Sequence, residues 1–166
     1  FDFDMDTLLK AKLFEQIAEQ LNAELIRLRQ AAEATAAAAT HEESKAENQY
    51  DTRGLEASYL AGAQLERVAE LENSLARLKN TTIKEFKVDS AIALTALIDL
   101  EHEGVSSSYF LMPVGAGLRL VHDHCGITVV TPQAPLGKKL QGKRVGDELS
   151  IATPQGLKDY SIIRVV

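Results

Sequence analysis

Tryptophan is absent from these 166 residues, and phenylalanine and tyrosine together make up only 5%. So few rings leave little material for a large aromatic-lined pocket. A single cysteine, Cys125, excludes an intramolecular disulfide and fits a reducing compartment. No apolar run approaches the roughly 18 residues of a membrane span. The opening Phe1-Asp2-Phe3-Asp4-Met5-Asp6 has neither the basic nor the apolar region of a signal peptide. A soluble, cytoplasmic protein is expected. Basic excess is also missing. Net charge is −6: residues 1–80 carry 15 Asp/Glu and 9 Lys/Arg, and residues 81–166 carry 9 of each. The acidic half cannot neutralise phosphates, which argues against independent DNA binding.

What is present in residues 1–80 is helical periodicity. Leu9, Leu13, Ile17, Leu21, Leu25, Leu28 and Ala32 recur at steps of three or four, predicting a helix from Asp6 or Thr7 to Ala38 with Asp6 as N-cap. Ala61, Leu65, Val68, Leu71, Leu75 and Leu78 predict a second helix from Ser44 to Lys79. Helices of ~33 residues are ~50 Å long, and so short a connection makes them antiparallel. Thr40 to Asp51 then becomes an acidic tip. Gly54 and Gly62 are read as close-approach or bend positions.

The pattern changes after Asn80-Thr81-Thr82. Ala91–Glu101 and Ser106–Pro113 alternate as strands around a turn at Glu103-Gly104, and Ile127–Thr131 is a β-branched strand. Leu136–Leu140 follows Pro135 as a short helix. Leu149–Thr153 and Lys158–Val165 form a hairpin over Pro154-Gln155-Gly156. The expected fold class is α+β, with an antiparallel coiled-coil hairpin over 1–80, its tip near 40–51, and a β-rich domain over 84–166.

The run Ala134-Pro135-Leu136-Gly137-Lys138-Lys139-Leu140-Gln141-Gly142-Lys143-Arg144-Val145-Gly146-Asp147-Glu148-Leu149 resembles the Gre transcription elongation factor family. The family pattern is S-P-(I/L)-(A/G)-x-x-L-x-G-K-x-V-G-D-E-V. Thr153-Pro154-Gln155-Gly156 resembles its T-P-x-G turn, and Tyr160–Val165 its closing strand. Glu47-Asn48…Tyr50 is similar to the family's E-N-A-E-Y near the hairpin tip. The order of a helical hairpin before a small domain also matches. The resemblance implies an FKBP-like second domain that binds bacterial RNA polymerase near Pro135, Leu136, Gly137, Lys138, Lys139 and Lys143. It implies a hairpin inserted in the secondary channel, touching the RNA 3′ end only indirectly.

In the family, two tip acids in a D-x-x-E pattern help hold Mg²⁺ at the polymerase active site and stimulate cleavage of backtracked RNA. Such a cation clamps oxygens in phosphoryl transfer and accepts one or two carboxylates. Here Glu43 and Glu47 are the candidates for this catalytic and metal-holding role, with Glu42 as a spare. They lie four apart rather than three, yet i and i+4 share a helical face. The chain would be a monomeric accessory factor rather than an enzyme, with no stably bound cofactor. The alternative is a secondary-channel regulator or inhibitor without cleavage; a third reading is a coiled-coil adaptor independent of polymerase.

Blander readings stand beside these. Thr40-x-x-Glu43 and Ser44-x-x-Glu47 are capping-box patterns. His122-Asp123-His124-Cys125 looks metal-like, with both histidines on one strand face, but lacks a fourth ligand, so an exposed strand end is expected. Gly115-x-Gly117 reads as a turn rather than a nucleotide loop. Lys138, Lys139, Lys143 and Arg144 are either a solubilising patch or a contact with an acidic polymerase surface. Prolyl isomerase activity would need a pocket of aromatics, and residues 84–166 offer Phe86, Tyr109, Phe110 and Tyr160.

Overall fold

A computed structural model describes residues 2–40 and 52–166. Helix α1 spans Asp2–Thr40 and α2 Arg53–Lys79. Strands β1 (Leu97–His102), β2 (Val105–Leu111), β3 (Arg119–His122) and β4 (Cys125–Val130) follow, then α3 (Pro135–Leu140), β5 (Glu148–Thr153) and β6 (Gly156–Val165). The architecture is α+β, as expected. None of the described helices is long and apolar enough to cross a membrane.

The chain forms two compact units, Glu19–Ala76 and Phe1–Ala18 with Arg77–Val166. The second unit holds the beginning of α1 and the end of α2, which makes the helices antiparallel. In the first unit, Leu21, Leu25 and Ala32 of α1 and Ala61, Val68 and Leu71 of α2 are buried. Two ion pairs, Arg29 with Glu72 and Arg67 with Glu24 at 3.6 Å, cross between the helices. All four partners are substantially exposed, so each contributes little.

The seam of α2 differs from the expected stripe. Leu65 is 57% exposed, whereas the Gln64 side chain turns inward and its Oε1 is buried without a hydrogen-bond partner. The spacing 61, 64, 68, 71, 75, 78 is an uninterrupted 3-4 repeat, so geometry assigns the seam position to the polar residue. Gly62 is also not a close-approach position: a Cβ there would meet nothing within 4 Å. The expected start of α2 at Ser44 lies outside the described residues; the described helix begins at Arg53. Thr52 is non-helical; its carbonyl accepts from Glu56 N at 2.8 Å, and its hydroxyl meets Glu56 Oε1 at 2.8 Å.

The second unit is built on a six-stranded sheet of order β3-β4-β2-β1-β6-β5. All neighbours are antiparallel except β2 and β4, which run parallel. The central strand β1 is covered on both faces, because Leu97, Ile98 and Leu100 are all buried. On one face Ile98, Leu100, Leu111, Val130, Ile162 and Val165 form a cluster with Leu140 of α3. The opposite face carries Leu97, Phe110, Val129 and Leu120, all buried.

The first turns of α1 lie on that opposite face. Leu13 and Ile17 are fully buried, and Gly115 sits so near that a Cβ would be 3.3 Å from Ile17 Cγ2. The Gln16 carboxamide donates to Val121 O at 2.9 Å and accepts from Val121 N at 3.0 Å. Asp6 is no N-cap, since α1 begins four residues earlier. Its carboxylate instead pairs with Arg164, which also approaches Asp99 at 3.5 Å.

Strand β1 begins at Leu97 rather than Ala91. Thr95 has φ 72, which interrupts an extended strand. It is fully buried, its N donates to Leu111 O at 2.7 Å, and its hydroxyl accepts from Lys84 N at 2.8 Å. The strand end expected at His122–Cys125 is there, as the end of β3 and the start of β4. Between the paired His122 and Cys125, Asp123 and His124 form a two-residue hairpin turn, with φ 46 and 65. His124 therefore does not share a strand face with His122.

Both irregular positions in α2 are expected to yield stability when regularised. Gly62→Ala should gain about 1 kcal/mol by helix propensity, and Gln64→Leu about 1 kcal/mol by removing an unpaired buried oxygen. Urea denaturation reads both; a loss of stability at Gly62→Ala would contradict the open surroundings described for it.

Candidate functional site

Glu42, Glu43 and Glu47 all lie in 41–51, outside the described residues. The Ser44 capping pattern and Glu43 of the Thr40 pattern fall on the same segment; Thr40 itself is the last residue of α1. Elsewhere, among the described residues, no group of three or more His, Cys, Asp or Glu is arranged to hold a metal. At the β3–β4 turn His122 Nε2 approaches Asp123 Oδ2 at 3.3 Å, and Cys125 is exposed.

The motif-bearing segment 134–149 is described in full. Ala134 is extended, at φ −64 and ψ 150, and Pro135 opens α3 where a missing N–H costs nothing. Gly137 is buried against backbone: a Cβ there would lie 1.9 Å from Thr131 O. Gly142 and Gly146 have φ +80 and +91, the left-handed region where glycine alone is unstrained. Their N–H groups donate to Ile92 O at 2.9 Å and Ile162 O at 2.8 Å. The Asp147 carboxylate accepts from Arg144 N at 2.8 Å, and its carbonyl from Ile162 N at 2.9 Å. Much of the motif thus secures α3 and the following turn to the sheet.

The six candidate binding residues divide accordingly. Gly137 is buried and Leu136 packs partly against the core cluster. Pro135, Lys138 and Lys139 are exposed, while Lys143 is half-buried. Lys139 Nζ donates to Ser150 O, and Arg144 to Asp89 O. Two of the four cations in the supposed basic patch therefore hold backbone carbonyls.

The four aromatics of the second half do not converge. Phe110 is buried on the face opposite Tyr109, and Phe86 packs near α1. Tyr109 and Tyr160 do share the α3-bearing face. The Tyr109 phenol is pushed up by burial, with Tyr160 nearby adding to the shift.

Sequence periodicity missed Lys10. It is 1% exposed, where the stripe pointed to half-buried Leu9. Its Nζ donates to Lys84 O and stands 4.9 Å from the Phe86 ring centroid. Asp6, Thr7, Glu85, Phe86 and Val166 line a cavity of about 20 Å³ beside it. Burial lowers its pKa from 10.5 to about 8, against the opposing pull of Asp6 and Glu85. A chain of helical period cannot announce such a residue, because the carbonyl and ring that accept it come from 74 and 76 positions downstream.

Two variants test these assignments. Gly137→Ala must displace backbone and should cost about 3 kcal/mol, the upper end of the usual cost of overpacking, read as a lowered Tm; an unchanged Tm would mean the helix–sheet contact is not as close as described. For Lys10, the unfolded side chain binds more protons than the folded one between pH 8 and 10.5. Stability from this group therefore rises with pH across that window. Lys10→Met should remove that rise, so the wild-type-minus-variant difference grows from pH 8 to 10.5. A flat difference would place the Lys10 amine in solvent.

Comparison with known proteins follows the same division of the chain. Residues 125–166 match the family model described as transcription elongation factor, GreA/GreB, C-term. A transcription inhibitor protein Gfh1 of Thermus aquaticus is 29% identical over 153 residues, 92% of this chain and 91% of that protein. A transcription elongation factor GreA of Legionella pneumophila (strain Lens) is 26% identical over 155 residues, covering 89% and 91%. The crystal structure of GreA factor homolog 1 of Thermus thermophilus aligns at 28% identity with TM-score 0.38, covering 90% and 94%.

Proposed function

We propose, from the match of residues 125–166 to the GreA/GreB model and the likeness to Gfh1 and GreA proteins along most of the chain, that this is a Gre-family factor that binds bacterial RNA polymerase and places its helical hairpin in the secondary channel. The observation that carries this is the combination of the 134–149 motif, folded as α3 and its turn, with an antiparallel helix pair in the same chain. As a member of that family it is an accessory transcription factor rather than an enzyme. The polymerase supplies substrate and the first metal, and the factor works as a monomer in the cytoplasm.

At the tip, two readings differ in chemistry. In the first, Glu43 and Glu47 share a face, help hold Mg²⁺ with the polymerase, and stimulate cleavage of backtracked RNA. The metal would supply charge stabilisation for oxygens at the scissile phosphate; this chain would supply the carboxylates. In the second, the hairpin occupies the channel and restrains transcription without cleavage. Two observations favour the second. The Thermus relatives that match over nine-tenths of this chain are named transcription inhibitors. No strict D-x-x-E exists at 41–51, where Glu43 and Glu47 stand four apart.

A backtracked bacterial elongation complex with Mg²⁺ decides between them. Occupancy alone predicts no acceleration of cleavage, competition with a standard Gre factor, and slowed extension. Cleavage accelerated at least tenfold, and lost in Glu43→Ala/Glu47→Ala, would establish the first reading instead. Neither cleavage nor competition would remove the polymerase from the account.

A further inference from the structure

The packed seam of the helix pair stops well short of the helix ends. Among the described residues, Ala32 is the last buried side chain of α1, and Glu33, Ala34, Ala36, Ala37 and Ala38 beyond it are exposed. Ala61 is the first buried side chain of α2, and Leu55, Glu56, Ser58, Tyr59 and Leu60 before it are exposed. Yet α1 continues to Thr40 and α2 begins at Arg53. About two turns of each helix, roughly 12 Å, therefore extend past the last packed layer.

The outer part is also inverted in composition. Its largest apolar side chains, Leu55, Tyr59 and Leu60, are 57%, 73% and 55% exposed and contribute little to closing the pair. The facing stretch of α1, Ala31 to Thr40, is mostly alanine, which favours a helix but buries little. Inward of this point the seam is of another kind. Leu21 and Leu25 of α1 and Val68 and Leu71 of α2 are buried, and the ion pairs Arg29 with Glu72 and Arg67 with Glu24 cross there.

The boundary itself carries two weak positions. Gly62 lowers helix propensity, and the buried Gln64 Oε1 has no hydrogen-bond partner. Helical pieces this short are marginal without packing. Regions with few buried apolar contacts open at a lower free energy than the rest of a structure. Here that change in packing falls at one place on α2 rather than tapering along the helix.

We propose that the helix pair has a joint at Ala61–Gln64, beyond which residues 33–40 and 53–60 open to solvent as one unit while the inner coil stays closed. In the polymerase reading, the outer end can then be shaped by the channel that receives it. The joint is a property of the free chain and stands or falls apart from that reading.

Native-state hydrogen exchange of the full chain, followed by NMR over a series of low urea concentrations, tests it. Amides of 34–38 and 58–61 should be protected at least about a hundredfold less than those of 22–28 and 67–74, with a shallower urea dependence. Leu25→Ala, in the inner seam, should lower the protection of the inner amides at least about thirtyfold and that of the outer amides less than about threefold. Val68→Ala should repeat this with an inner loss of at least about fivefold, should Leu25→Ala prevent folding. Equal protection on the two sides of Gln64, or a parallel loss in both parts on inner-seam substitution, would show that the pair opens as one piece and remove the joint.

Discussion

A sheet whose central strand is buried on both faces needs two covers, and this chain draws them from opposite ends of its sequence. One face is covered by α3, a helix of six residues that can approach only because Gly137 has no side chain to strike Thr131. The other is covered by the first turns of α1, through Leu13 and Ile17. Polar ties then set the position of α1 by direction as well as by contact: Asp6 to Arg164, Lys10 to Lys84 O, and Gln16 to Val121. The apolar term supplies most of the attraction and the polar ties most of the specificity. Burying Lys10 is the costly part of this scheme, because the ammonium exchanges water for one carbonyl and one ring face.

The α+β class, the two helices, α3 and the closing hairpin are legible in the sequence because each rests on local signals: period, proline at a helix start, glycine in a turn. What escapes is positional. Leu65 looked like a seam residue because it is apolar, yet the 3-4 spacing belongs to Gln64, and spacing decides which side chain faces the partner helix. Leu9 looked buried and Lys10 did not, because the groups that solvate Lys10 are tertiary. Thr95 cut short an apparent strand through a positive φ that no residue type announced. Strand β3 is four residues long and mixes Arg, Leu, Val and His, too short a run to display alternation.

The functional signal behaved differently. The 134–149 run carries the resemblance to the Gre family, but the structure assigns much of its content to architecture: a proline at a helix start, a glycine under a carbonyl, two glycines in left-handed turns, an aspartate closing a loop. A motif can be diagnostic of a family because the fold demands it, without its side chains being the ones a partner touches.

The hydrogen bonds of Gln16 have a consequence for the protein in a crowded cell. Strands β3 and β5 are the two margins of the sheet, where backbone groups would otherwise be open to any passing extended chain. At β3 the Gln16 carboxamide imitates the next strand, giving Val121 both a donor and an acceptor. At β5 the Lys139 ammonium takes the Ser150 carbonyl. Each margin of the sheet thus has backbone groups already taken up by a side chain from a helix, which makes it a poorer template for cross-strand pairing.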